Sequence, residues 1–379
     1  MTDRPGTQPH GGLRRRDAVR ALVAGGLVAG ALPGCTVRDG WPAPESADLL
    51  RVEDVSDTIG RGLDEQRALG REIGVDWSGL RAVLALVDGV PVVERYQDCT
   101  AEDAHDVQAA TAAVMCALVG IAIAEGRLSL DDTLASLLPE RARTMSPAAA
   151  ATTLRQLLTM DASFDERLVG PRPRFEQGRD WIAELLSWIG AGRPSGGYAG
   201  YAVHLLSAVL DAATGLPVPE YARTRLFDPL GIGPSPAGPS WPLDPEGHAI
   251  GYRGLRLRPR DLAAIGRLHL DRGLFRGRRV LPAAWVREAT GDQLEAGPRQ
   301  PWPTVGHGYL WRIRSVRGER GYAVLGTAGQ VLEVVPALGL VVVVAVEQDP
   351  TDATDLGIHP SVTAALAESV IAPAVAGLR

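Results

Sequence analysis

The side chains available for chemistry in this chain form a restricted set. The sequence contains no Lys and no Asn, so its 39 basic residues other than His are all Arg. Because the pKa of a guanidinium lies above about 12, Arg cannot act as a general base. The seven His residues show neither HxH nor HExxH spacing, which argues against a metal centre of the common kinds. We therefore expect no metal and no cofactor.

Residues 1–35 are typical of an export signal rather than of a folded element. A run of three Arg at 14–16 precedes an apolar run over 21–31, which is too short for a bilayer span of about 20 residues. Arg15 and Arg16 resemble the pair of a twin-arginine signal. Residues 32–35 resemble a lipobox, in which Cys35 would be the lipidated residue. Pro33 departs from the usual small residue there, and cleavage after 29–31 is the alternative.

An exported protein of this kind belongs to the cell envelope and meets the membrane only through its signal or a lipid anchor. The net charge is −6 and the pI about 5.7, and the Arg residues are scattered among acidic neighbours, which excludes a nucleic-acid binder. We expect a small-molecule or peptide ligand, with a protein partner as a further expectation. Export also means an oxidising compartment, in which Cys99 and Cys116 could pair. Cys116 falls in an apolar helical run, which favours a buried free thiol.

The pattern of apolar residues predicts a linker over 36–48 and one α+β domain over 49–379. Helices are predicted over 49–70, 109–126, 152–160, 180–189, 201–214, 218–227, 260–271 and 360–376. Strands are predicted over 80–88, 90–96, 309–311, 322–325, 331–335 and 340–346. Strands at both ends around a helical middle imply an antiparallel sheet portion (about 49–108 and 260–379) beside an all-α portion (about 109–259).

Several stretches, in this order, resemble the class C β-lactamase and esterase branch of the penicillin-recognising serine hydrolases. They are 117–126 with 130–132, 154–160, 229–231, 260–263, 281–286 and 308–311. The resemblance covers about residues 50–375 and implies a β-lactamase/transpeptidase-like fold, with an antiparallel sheet flanked by helices and an all-α subdomain.

That resemblance also implies three catalytic motifs, and all three are degenerate here. Family catalysis uses Ser-x-x-Lys, in which the ammonium lies beside the hydroxyl that it deprotonates. Counting back from Gly120 places the Ser at Ala109 and the Lys at Ala112. No shift of register restores the motif, because the chain has no Lys.

The second motif, Tyr-x-Asn, falls on Tyr198 and Gly200, so the Tyr remains as a retained acid or base and the Asn is lost. The third, His- or Lys-x-Gly, falls on Thr327 and Gly329, and its Gly lets substrate lie close to the strand. The family's oxyanion hole uses backbone N–H groups, here those of Ala109 and Gln330, which the loss of side chains does not remove.

Other polar residues are assigned to the scaffold. Thr111 lies about 200° around the helix from Ala109 and is expected to face away from the cleft. His204 lies in an apolar helix and is expected to be a satisfied core residue. Asp132, Arg260 and Asp261 match scaffold positions of the family and are expected to cap or tie helices.

These observations favour an exported pseudoenzyme of the serine hydrolase family that binds a ligand in the old active-site cleft without hydrolysing it. Two alternatives stay open. One is an enzyme that uses the retained cleft, the backbone donors and Tyr198 for non-covalent catalysis or residual hydrolysis. The other is a structural partner of another envelope protein.

Overall fold

The computed structural model describes residues 46–72, 77–162, 174–190, 200–233, 239–295, 304–326, 328–347, 358 and 360–376. The predicted signal with Cys35, most of the predicted linker, Tyr198 and Thr327 lie outside these residues. Within the described part of the chain, no single helix is long and apolar enough to cross a membrane; one bent pair of helices, over 200–230, passes by length and composition only.

An eight-stranded antiparallel sheet, in the order β2-β1-β12-β11-β10-β9-β8-β7, forms the frame of the molecule. Its strands are β1 Leu80–Val87, β2 Val90–Tyr96, β7 Leu294–Glu295, β8 Gly306–His307, β9 Arg312–Val316, β10 Glu319–Leu325, β11 Val331–Val335 and β12 Leu340–Val346. Strands β1 and β2 form the predicted hairpin, whose turn places Asp88 at φ 49° and Gly89 at φ 81°. Strand β12 is buried along its whole length, which explains its unbroken apolar run.

Short strand pairs and helices complete the chain. The pairs are β3 His105–Asp106 with β4 Arg256–Leu257, and β5 Leu274–Phe275 with β6 Arg278–Arg279. The helices are α1 Ser46–Glu72, α2 Thr111–Ala124, α3 Leu134–Leu137, α4 Pro147–Ala151, α5 Leu154–Leu158, α6 Trp181–Trp188, α7 Leu205–Thr214, α8 Val218–Ala222, α9 Asp228–Leu230, α10 Pro259–Leu270, α11 Ala283–Ala289, α12 Pro360–Leu366 and α13 Ala372–Ala376. The predicted fold class, an antiparallel sheet with flanking helices, is confirmed.

Two apolar cores lie on the two faces of the sheet. The larger one packs α2, α7 and α10 and the other central helices against one face. The smaller one packs α1 and the C-terminal helices against the other face, where Val55, Ile59 and Val370 are buried. Helix α2 is apolar around its whole circumference, because it runs through the larger core.

The strand predicted over 309–311 is wrong. Residues 309–311 form a bend in which Leu310 has φ 62° and donates its N–H to the Leu158 carbonyl at 2.8 Å; the strand begins at Arg312. Tyr309, Leu310 and Trp311 are almost completely buried. The apolar run over 309–311 therefore predicts burial correctly. Burial alone does not distinguish a strand from a buried bend.

Gly120 allows α2 to pass close to α11. A Cβ at this position would overlap the indole of Trp285. We expect Gly120→Ala to lower the free energy of unfolding by about 1–3 kcal/mol through overpacking, despite the better helix propensity of Ala. Gly233→Ala, where a Cβ meets nothing within 4 Å, is the control and should change stability little. Urea denaturation measures both, and equal stability of the two variants would refute the close approach.

Candidate functional site

The predicted nucleophile position lies on a short turn held by an acidic side chain. Strand β3 ends at Asp106, and residues Gln108–Ala110 form a single 3-10 turn that leads into α2. The Asp106 carboxylate accepts the Gln108 backbone N–H at 2.8 Å and its side-chain Nε2 at 3.1 Å. Gln108 has φ 50°, a left-handed conformation that is uncommon for a residue with a side chain. These bonds hold the turn on which Ala109 lies.

Asp106 also joins this turn to a second segment of the chain. Its Oδ1 accepts the backbone N–H of Gly254 at 2.9 Å. Burial raises the pKa of Asp106, and the two backbone N–H donors and nearby Arg side chains oppose that rise. The carboxylate is therefore held largely away from solvent, by donors from two segments 146 positions apart in the chain (Gln108 and Gly254).

The turn between β10 and β11 meets the start of α2, as the family register predicts. A Cβ on Gly326 would lie 3.1 Å from the Gln108 Cβ. The Gln330 side chain is buried, and its Nε2 donates to the carbonyls of Asp106 at 3.2 Å and Val346 at 2.5 Å. The fold thus brings together the segments that carry Ala109 and Gln330. That their backbone N–H groups act as oxyanion donors stays a prediction.

Gly329 has a packing role that the sequence did not predict, and its predicted role in letting substrate lie close to the strand stays a prediction. It has φ 101°, and a Cβ there would lie 2.5 Å from the Ile358 carbonyl. Ile358 donates its own N–H to the Ala328 carbonyl at 3.0 Å. A glycine is therefore required by the backbone that packs on this turn, whatever lies in the cleft.

The side chains at the predicted Ser-x-x-Lys positions are two methyl groups at the N-terminal end of α2. Ala109 is half-buried and Ala112 is buried, 8% exposed. Gly200 begins a 3-10 turn, Gly200–His204, that leads into α7. Tyr198 and Thr327 are outside the described residues. The described part of the site offers hydrogen-bonding groups and apolar surface, but no nucleophile paired with a base.

A polar cluster that the sequence did not predict lies beside this turn. Arg253 donates from Nη2 to Glu176 Oε2 at 2.8 Å, and the Tyr252 hydroxyl donates to Glu176 Oε1. Burial is the main cause that raises the pKa of Tyr252, and its bond to Glu176 adds to it. Arg253 remains 38% exposed and immediately precedes Gly254, the residue bonded to Asp106. No spacing signal could have found this cluster, because Glu176 and Arg253 are 77 positions apart.

Contacts confirm the predicted scaffold roles of His204, Arg260 and Asp261. His204 is fully buried; its Nε2 lies 3.0 Å from Asp244 Oδ2, and its Nδ1 accepts the Gly251 N–H at 3.3 Å. Thr111 is fully buried. Asp132 accepts the Ser129 N–H at 2.7 Å, so its side chain closes the turn before α3 rather than capping a helix as predicted. Asp261 bonds to Arg258 at the N-terminal end of α10, and Arg260 ties α10 to Glu94 of β2.

Both described thiols are free. Cys116 is buried, and burial raises its pKa to about 12. Cys99 is half-buried and donates to the Arg81 carbonyl. Among the described residues, no group of three or more His, Cys, Asp and Glu side chains could hold a metal ion.

Comparison with known proteins assigns this architecture to a family. The sequence model of the Beta-lactamase family matches residues 77–366. An uncharacterised protein of Alkalihalophilus pseudofirmus is 25% identical over 270 residues, covering 63% of this chain and 73% of that protein. Penicillin-binding protein 4 of Amycolatopsis lactamdurans is 27% identical over 255 residues, covering 57% of this chain and 65% of that protein.

Solved structures give the same fold. A penicillin-binding protein homologue from Caulobacter crescentus superposes with a TM-score of 0.63 at 16% identity, covering 85% of this chain and 97% of the other. The octameric penicillin-binding protein homologue from Pyrococcus abyssi superposes with a TM-score of 0.61 at 18% identity, covering 82% of this chain and 76% of the other. The chain belongs to the beta-lactamase family of serine hydrolases and penicillin-binding protein homologues.

Proposed function

We propose that this protein is a non-acylating member of its family that binds a ligand in the cleft at the start of α2. The observation that carries the proposal is the pair of methyl groups at Ala109 and Ala112, in a chain without Lys. Serine acylation needs a hydroxyl and a base that removes its proton, and neither is supplied at these positions. Loss of such a catalytic unit typically costs about 10⁶ in turnover.

The structure around the lost motif supports a retained binding role. Asp106, Gln108 and Gln330 hold the turn before α2 against the β10–β11 turn. Gln108 in this turn keeps a left-handed backbone, which costs about 1 kcal/mol or more and is a kind of conformation that clusters at functional sites. Arg253 and Glu176, which are paired with each other and remain 38% and 22% exposed, add partly exposed groups of both signs. This chemistry suits a small polar or peptide-like ligand, in keeping with the penicillin-binding relatives.

The proposal includes location. We propose that the protein is exported by the twin-arginine route and anchored in the cell envelope by a lipid attached to Cys35. The apolar run that follows the three Arg residues supports this route.

Incubation with a fluorescent penicillin and with a fluorophosphonate tests the loss of acylation. We expect no mass increase in the intact protein with either reagent. Reversible binding is measured separately, as a rise in Tm with penicillins and short acyl-peptides, because a ligand at a hundred times its Kd adds about 2.7 kcal/mol to stability. A reagent mass mapped to any residue of the cleft would overturn the proposal. A Tm that responds to none of these ligands would count against the binding role.

A further inference from the structure

Among the described residues, the hairpin formed by β5 and β6 carries the densest group of exposed Arg side chains. Residues 271–280 contain four Arg, at 272, 276, 278 and 279, and all four are exposed. Their one acidic residue, Asp271, is paired with Arg267 at 3.2 Å. The whole chain carries a net charge of −6, so this hairpin is a positively charged segment of a negatively charged protein.

The hairpin presents these charges on a rigid support. Its turn places Arg276 at φ 49° and Gly277 at φ 77°, which suits a two-residue hairpin. Phe275 is buried at its base, and the guanidinium groups of Arg267 and Arg276 lie 5.9 and 5.5 Å from its ring centre. Val280 donates its N–H to the Gly273 carbonyl at 2.9 Å. The exposed Arg side chains are therefore carried by an ordered element, on which Arg279 also donates from Nη1 to the Arg272 carbonyl.

An apolar side chain lies among the charges. Leu274 is 39% exposed and is paired across the hairpin with Arg279. Within the described part of the chain it is one of three large apolar side chains with such exposure, the others being Leu243 and Val305. Arg side chains alone would attract any polyanion. An adjacent exposed Leu gains free energy where it can leave water for hydrocarbon, which a lipid interface offers and a soluble polyanion does not.

We propose that the β5–β6 hairpin docks the protein onto an anionic lipid surface. The guanidinium groups contact lipid phosphates, and Leu274 enters the boundary between headgroups and acyl chains. Each Arg near such a surface raises affinity by about fivefold. The interaction adds a second membrane contact to the proposed lipid anchor, which departs from the sequence-based expectation of an anchor alone, and it does not depend on what binds in the cleft.

Amide hydrogen exchange of the full-length protein is measured peptide by peptide. Membrane binding through the N-terminal segment therefore does not obscure the signal from the hairpin. Vesicles of equal parts phosphatidylglycerol and phosphatidylcholine should slow exchange in the peptide covering 271–280, and vesicles of phosphatidylcholine alone should not. Arg276→Glu with Arg278→Glu should abolish this protection and lower the affinity of the hairpin contact by about 25-fold or more. The milder Arg278→Gln should weaken protection without altering the fold.

Arg143→Glu with Arg179→Glu is the matched control. Both residues are exposed in the helical middle, and the double change gives the same net charge. Protection of 271–280 should persist in this variant. Absence of protection in the unaltered protein, or its equal loss in the control, would overturn the proposal. Equal protection by soluble polyphosphate would assign the hairpin to soluble polyanions and would also overturn it.

Discussion

Glu333→Gln should lower the free energy of unfolding by about 3–5 kcal/mol, which is the typical cost of breaking a buried ion pair from one side. Glu333 is fully buried in β11, and its Oε1 lies 2.7 Å from Nε of Arg314, which is 1% exposed in β9. Burial raises the pKa of Glu333, and Arg314 opposes that rise. Neutralising the carboxylate leaves the guanidinium inside the protein with Glu368 Oε2, at 3.8 Å, as its remaining carboxylate neighbour.

Small residues on the strand between them permit this contact. Arg314 is opposite Gly321 and Glu333 is opposite Ala323, both on β10. Because β10 carries little side-chain volume on this face, the Arg314 side chain can reach across it to Glu333. The pair therefore joins β9 to β11 over an intervening strand.

Urea denaturation measures the effect, with Glu319→Gln as the matched control. Glu319 is an exposed residue of β10, so the same change there should alter stability by less than about 0.5 kcal/mol. The double change Arg314→Met with Glu333→Leu should recover most of the loss, because it removes both charges together. A Glu333→Gln variant as stable as the control would show that the two side chains are not paired in solution.

The triple variant Ala109→Ser, Ala112→Lys and Gly200→Asn should acquire detectable acylation by a penicillin. The start of α2 already meets the β10–β11 turn, so the new hydroxyl lies beside the segment that carries Gln330. Positions 109 and 112 are three apart across the 3-10 turn and the first turn of α2, which places Ser and Lys on one side. Because Ala112 is only 8% exposed, burial would lower the pKa of a Lys there and favour the base form.

Recovery should be small, because the groups that would orient the new Lys are not built for it, and a misplacement of about 1 Å can cost about 10²-fold in rate. Intact-protein mass spectrometry detects the acyl adduct. The matched control keeps Ala109→Ser and Gly200→Asn but leaves Ala112 unchanged, and it should form no adduct. A triple variant with an unchanged Tm that forms no adduct would mean that the cleft has been reshaped, and the binding proposal would weaken with it.

The sequence by itself determined the long apolar elements and their order. The β1–β2 hairpin, the apolar helix α2 and the strands β11 and β12 were predictable, because burial imposes a local periodicity that neighbouring residues carry. The ordered family matches also predicted the register that puts Ala109 and Ala112 at the catalytic positions, and this assignment stays a prediction. The core role of His204 followed from its apolar helical surroundings.

Tertiary structure alone decided which distant polar groups meet. Asp106 with Gly254, Glu176 with Arg253, and Arg314 with Glu333 pair across long stretches of chain. The bend at 309–311 likewise depends on the carbonyl of Leu158. Apolar burial is non-directional and leaves a local pattern, whereas a hydrogen bond or ion pair needs one partner at one distance. The sheet order β2-β1-β12-β11-β10-β9-β8-β7 sets those distances, because it places strands from both ends of the chain side by side.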